Sequence, residues 1–472
     1  MRLNQISPIS VENVGVKSLL SDEYMLTFFK KFCDAIVSRI WKQKKPKNIR
    51  YSDIDFLRVF FLSEVVGRSI HETSELLNIY YLSHQKGRLK IFADGRKRRF
   101  VPHQTEVNKY LRKIGLKRAR NILRECLFGQ LKDAINLELI SRKVNVLIDF
   151  TEHPYFGKRE DSMIKGTNRQ KGTKKMRHYL AFSLLSRGVH LYAGLEQVAT
   201  GQSKIPIIIE FLDNLLDLGF ELKYVLMDRE FYRAELLDEI KGMGGNALIP
   251  AKQYKKIKQF ITDYIEGKGR RVRKYTFSSA AEAKCRFFAN VYLIIKAKRG
   301  FSLQGVKRDY QKGKITQKDV FHRIFTIMTT EKPKGKTSSW ASRTSLFYKR
   351  RWLIETGFSD LNRINRRWKS NLDNVRYLDM LVRLLLYNSW KMNKKLLRFS
   401  LSVLIVLVFA SLGFRGNKDV KKLYKTNTND QYKYIAINQI FMYISNNGDG
   451  SYNPQSGGQV MAGGVIQGGE HV

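Results

Sequence analysis

Val144-Asn145-Val146-Leu147-Ile148-Asp149 and Tyr224-Val225-Leu226-Met227-Asp228 are short apolar runs, and each finishes on an aspartate. Apolar runs of this length read as buried strands. An aspartate at the end of such a strand sits where the chain leaves the sheet and meets solvent. Far downstream, Tyr348-Lys349-Arg350-Arg351-Trp352-Leu353-Ile354-Glu355 places a glutamate on a helix that also carries a phenol and guanidinium groups. Three carboxylates of this kind can hold two divalent metal ions if the fold gathers them.

The residues between these runs set the fold class. Stretches 179–185 and 189–195 flank Ser186-Arg187-Gly188, a hairpin turn signal. An amphipathic helix over 205–218 is closed by Gly219, and a strand (223–228), a helix (232–241) and a short strand (246–250) follow. That order predicts an α/β fold, a mixed sheet with flanking helices, over 141–251. Residues 252–340 read as a β-rich insertion, with strands at 271–278, 285–298 and 322–330 between basic loops. Residues 341–398 complete the core with helices at about 345–368 and 379–398. Upstream, 1–140 read as helical. Ser69-Ile70-His71-Glu72 has capping-box spacing, helices are expected at about 105–115 and 116–139, and 86–99 is basic. This region suits either a helix-turn-helix-like DNA reader or a plain helical bundle.

Residues 399–472 stand apart. The uncharged run 399–414 is shorter than the roughly 20 apolar residues of a membrane span and reads as a buried helix or strand. After Lys433 there is no Lys or Arg, and from Asn446 onward Gly, Asn, Gln and Ser dominate. This end reads as a disordered tail of foreign origin.

Among the 472 residues, 43% are hydrophobic, enough for a packed globule, so the charge must be explained by a partner rather than by disorder. Lys and Arg number 86 against 42 for Asp and Glu, a formal charge of +44. DNA or RNA is the leading partner for such a chain; an anionic membrane surface and a ribosomal location are the alternatives. Cys33, Cys126 and Cys285 are too few and too scattered for a disulfide framework or a zinc site, which suits a reducing cytoplasm. The N-terminus lacks the apolar core of a secretory signal.

Phosphodiester cleavage needs an activated oxygen nucleophile and a stabilised leaving oxygen, and two metal ions can supply both. Mg²⁺ prefers oxygen ligands, which Asp149, Asp228 and Glu355 offer. On a regular helix, Tyr348, Arg351, Glu355 and Asn362 fall on one stripe within roughly 60°. Arg351 can clamp a phosphate bidentately. Residues 363–398 carry ten basic and two acidic residues, led by Arg363, Arg366, Arg367 and Lys369, and read as a phosphate track.

These residues resemble the DDE transposases of insertion sequences, in particular the group with a Tyr-x2-Arg-x3-Glu-x6-Lys signature. Tyr348, Arg351 and Glu355 match it; Asn362 stands where that group has Lys. Asp228-Arg229-Glu230-Phe231-Tyr232 after a strand is also similar. The resemblance covers about 141–395. It implies an RNase H-like core, two Mg²⁺ or Mn²⁺ ions held by Asp149, Asp228 and Glu355, and cut-and-paste transposition, often through a DNA hairpin. It also implies Tyr348 and Arg351 on transposon-end phosphates. The expected partners are double-stranded DNA, as ends and target, and a second copy in a homodimer, with no membrane. The expected location is cytoplasmic, at the nucleoid.

Plainer readings exist for each residue. Asp149 and Asp228 can cap turns, and Glu355 can pair with Arg351 on a solvated helix. Glu152 and His153 are local ligands or solvated loop residues. Trp352 either stacks an extruded base or lies in the core. Residues 158–177 read as a basic loop. Two rival functions keep the same core: a nuclease without strand transfer, and a DNA-binding descendant without catalysis.

Overall fold

The computed structural model describes residues 51, 53–66, 69–84, 101–158, 161–170, 172–280, 286–364 and 370–397. The basic run at 86–99, Arg366, Arg367, Lys369, the apolar run at 399–414 and the tail lie outside the described residues.

Among the described residues, four helices precede the sheet: α1 (Asp53–Val66), α2 (Ile70–His84), α3 (Gln104–Arg112) and α4 (Leu116–Asn136). The α2 capping box forms as its sequence predicts. Ser69 N–H donates to Glu72 Oε2 at 2.9 Å, and Glu72 N–H donates to Ser69 Oγ at 3.1 Å.

The first sheet strands are β1 (Lys143–Pro154), β2 (Ile164–Gln170), β3 (Thr173–Ser186) and β4 (Val189–Val198). After α5 (Ile205–Asp217) come β5 (Glu221–Met227), α6 (Ala234–Gly242) and β6 (Asn246–Pro250). Then follow α7 (Lys255–Ile265), β7 (Val272–Ala280), β8 (Arg286–Ala297), α8 (Leu303–Gln311), α9 (Gln317–Arg323) and β9 (Ile324–Thr329). Helices α10 (Thr337–Tyr348), α11 (Trp352–Ile364) and α12 (Asp373–Leu397) are the last of the described elements.

One mixed sheet of nine strands runs β2-β3-β1-β5-β6-β9-β8-β7, with β4 also on β3. β1 and β5 are parallel neighbours, as are β5 and β6. Val144, Val146, Leu147 and Ile148 of β1 are all fully buried, the mark of a central strand covered on both faces. The β3–β4 hairpin turns at Arg187 (φ 48°) and Gly188 (φ 80°), the paired positive φ values of a primed turn that matches strand twist.

Several boundaries differ from the sequence reading. β1 does not end at Asp149 but continues to Pro154, because β3 stays paired with it as far as Met176. Part of the expected basic loop at 158–177 is the added strand β2, paired antiparallel to β3. Within 252–340, β9 pairs with β6, β8 with β9 and β7 with β8, so these strands extend the same sheet, with α7 ahead of β7 and α8 and α9 between β8 and β9. The long helix expected over 345–368 is two helices, α10 and α11, joined by a 3-10 turn at Lys349–Arg351.

α12 covers the outer edge of β4. Asn388 accepts from Tyr192 N–H at 2.7 Å and donates to Tyr192 O at 2.8 Å, so one buried amide satisfies two backbone groups of the edge strand. Tyr377 Oη accepts from Gln197 N–H at 2.7 Å on the same edge. Arg376 donates to Pro154 O at 3.2 Å, and Arg383 pairs with Asp379 at 3.0 Å; both arginines are buried. These two are therefore structural pins, not part of a phosphate track.

Candidate active site

Parallel pairing of β1 with β5 stops at Ile148 opposite Met227. Asp149 and Asp228 are the next residue on each strand path, so they lie side by side just past the parallel ladder, Asp228 where β5 ends and Asp149 within β1, which runs on paired with β3. Their surroundings are locked from below. Phe150 stacks on Phe231 with ring centroids 5.2 Å apart and planes 4° apart, and Phe231 N–H closes a 3-10 turn on Asp228 O at 3.1 Å.

The glutamate arrives from above on α11. Ile354 faces the core and is fully buried, and its carbonyl accepts from Tyr192 Oη at 3.2 Å. Gly357 lets the helix lie close to β4. A Cβ there would fall 2.6 Å from Tyr192 Oη and 3.1 Å from His190 Cε1. Tyr348, at the end of α10, donates to Met227 O at 3.2 Å and so ties the helical segment to the strand end that carries Asp228.

Arg351 joins the two halves. Its Nη1 lies 2.6 Å from Asp149 Oδ2 and its Nη2 2.5 Å from Glu355 Oε1. Arg351 lies in the 3-10 turn between α10 and α11, with 17% side-chain exposure, while Glu355 keeps 42%. Burial pushes the Asp149 carboxyl up to about 6, against the lowering pull of Arg351 and the Phe150 N–H; the charges of Glu355 and Asp228 push it further up. Burial lowers the Arg351 pKa, but Tyr348, Asp149 and Glu355 outweigh it and raise the net value. Burial also raises the Tyr348 phenol.

The other sequence candidates are distributed as follows. Trp352 is 65% exposed at the start of α11, so it is not a core tryptophan. Asn362 and Arg363 lie in the last turns of α11. Glu152 and His153 are strand residues of β1, not loop residues. Glu152 pairs with His178 at 3.3 Å, and buried His153 packs on Tyr179. Lys204 was not singled out in the sequence. It lies 4.4 Å from the Phe150 ring centroid and 3.7 Å from Glu230, which places a cation at the rim beside Asp149. Its place before α5, far from either acidic run in sequence, carries no motif.

The donor set fits hard divalent cations: three carboxylates, with a guanidinium standing as a cation between two of them. The transposase DDE domain model matches residues 141–389. The chain belongs to this transposase family, whose members use divalent metal ions. Among solved structures, the chain is similar to a piggyBac transposase solved as a synaptic complex with hairpin DNA. The two are 12% identical, with 89% of this chain and 85% of that chain covered and a TM-score of 0.45. No curated protein sequence matches the chain. Among the described residues, no helix is long and apolar enough to cross a membrane.

Proposed function

We propose that this transposase binds the ends of an insertion element and moves it by cut-and-paste, using metal-dependent cleavage and strand transfer. The observation that carries the reading is Asp149 and Asp228 side by side where the parallel pairing of β1 and β5 stops, with Glu355 linked to Asp149 through Arg351. Asp149, Asp228 and Glu355 would hold two Mg²⁺ or Mn²⁺ ions. When bound, the ions activate an oxygen nucleophile and stabilise the leaving oxygen.

The chain's own residues do the rest. Water, and then the freed 3′-hydroxyl, attacks the phosphodiester in line. Arg351, pre-organised by two carboxylates, offers its planar fork to a phosphate oxygen when DNA enters. Tyr348 holds the α10 end against β5 and so sets the height of Arg351. Trp352 presents an exposed ring beside the site for an unstacked base. The helical region within 1–140, with Arg363, Arg366, Arg367 and Lys369, supplies contacts to duplex DNA. The strands of 252–340 form a β-rich insertion between the second aspartate and the glutamate. A homodimer at the nucleoid would hold both ends together.

Replacing Asp149, Asp228 or Glu355 with Ala should stop Mg²⁺-dependent nicking while leaving end-DNA binding largely intact. Full nicking by Asp228→Ala would remove the metal-site assignment. Nicking by the unaltered chain without joined products in a strand-transfer assay would reduce the activity to that of a nuclease.

A further inference from the structure

A second metal-ligating cluster lies in the N-terminal helices. Among the described residues, His71, Glu75 and His103 are the one group of three whose candidate ligand atoms all lie within 4.8 Å of one another. His71 and Glu75 are one turn apart on α2, with Nδ1 and Oε1 3.9 Å apart. His103 immediately precedes α3 as its N-cap. The two imidazoles meet edge to face, with centroids 5.9 Å apart and planes at 77°.

This convergence is built into the packing. Buried Ser74 donates to Pro102 O at 2.8 Å, and Val101 N–H donates to the side chain of buried Asn78 at 3.3 Å. Both bonds tie α2 to the segment that carries His103, so the three ligands come from two elements held in fixed register. His71 is 54% exposed, which opens the cluster to ions in solvent.

Donor chemistry selects the ion. Two imidazoles and one carboxylate suit a borderline ion such as Zn²⁺ and not Mg²⁺ or Ca²⁺. Tetrahedral ligands at about 2.0–2.1 Å from zinc stand roughly 3.4 Å from one another, so the cluster closes with side-chain shifts of about 1 Å. The orientation of His103 is already prepared. Its Nδ1 lies 2.9 Å from Thr105 Oγ1, and donation to that oxygen leaves Nε2 free of its proton for a metal. The contact given up, from Thr105 N–H to Nδ1, is long at 3.4 Å.

We propose that His71, Glu75 and His103 form a site for Zn²⁺ or a chemically similar divalent transition metal, with water completing the coordination, and that it staples the start of α3 to α2. The site is separate from the carboxylates Asp149, Asp228 and Glu355.

The test uses Co²⁺ on the full chain carrying Asp149→Asn and Asp228→Asn, so that the carboxylate site contributes little. We expect one equivalent of Co²⁺ with the intense visible d–d bands of a four- or five-coordinate site, displaced by Zn²⁺ but not by excess Mg²⁺. Glu75→Gln and His103→Asn, which keep side-chain size and an N-cap acceptor respectively, should lose the bands while circular dichroism stays unchanged. Thr105→Val, which removes the partner of His103 Nδ1, should weaken binding by about 10-fold or more. Absence of the bands in the parent chain, or bands unchanged in both ligand variants, would overturn the site and leave an ordinary His–Glu surface pair.

Discussion

Arg351 Nη1 lies 2.6 Å from Asp149 Oδ2, and through its other Nη the same guanidinium reaches Glu355. A fixed cation therefore occupies the space between two carboxylates assigned to metal binding. Two carboxylates brought close in a partly buried site repel each other and raise their own protonation; the guanidinium offsets that repulsion.

Arg351 should therefore act on metal and DNA in opposite directions. Arg351→Gln removes a competing cation, so Mn²⁺ binding to the DNA-free chain, read by electron paramagnetic resonance, should tighten. Nicking should fall, and Arg351→Lys, which keeps charge but not the fork, should fall nearly as far at saturating DNA. Equal cleavage by Arg351→Lys and the parent would refute the positioning role. Asn362→Lys, which completes the Tyr-Arg-Glu-Lys pattern, should be neutral or activating.

Gly357 should be the least replaceable glycine near the site. An added methyl at 2.6 Å from Tyr192 Oη and 3.1 Å from His190 must push α11 away from β4. Overpacking of this kind costs about 1–3 kcal/mol. Because Glu355 rides on the same helix, Gly357→Ala should lower nicking more than the lost stability explains. A melting curve and a nicking rate from the same sample separate the two effects.

His190 should make the fold acid-sensitive. It is fully buried, its Nδ1 lies 2.7 Å from Tyr387 Oη, and burial, with a lesser push from Lys391, lowers its pKa from 6.5 to about 3. The folded state thus holds it neutral while the unfolded state takes a proton between those values. Its contribution is present above pH 6.5 and is lost as the pH falls toward 3. His190→Gln should flatten the slope of unfolding free energy against pH over that window by close to one proton. An unchanged slope in denaturant titrations would show that His190 is charged in the fold.

Binding to duplex DNA should depend steeply on salt, because the formal charge is +44. Each neutralised phosphate adds about −0.9 to the slope of log K against log salt, so a slope steeper than about −5 is expected. A nearly flat response would leave the charge without a DNA role.

By itself, the sequence determined the family and much of the local structure. Apolar runs ending in Asp149 and Asp228 marked two sheet strands, Arg187-Gly188 marked a turn that only positive φ values close, and Ser69 with Glu72 marked a helix start. These are short-range facts: a strand pattern, a turn and a cap are written within a few residues. Only the tertiary structure decided that β1 runs on through Asp149, because that depends on how far β3, some thirty residues later, stays paired. It alone broke the long helix at Lys349–Arg351, where Tyr348 is held by Met227 O and Arg351 by Asp149 and Glu355. It also separated the buried pins Arg376 and Arg383 from the basic run around them, and brought His103 to His71 and Glu75. Each of these depends on contacts between segments far apart in the chain, where packing and desolvation override a local helical or charge pattern.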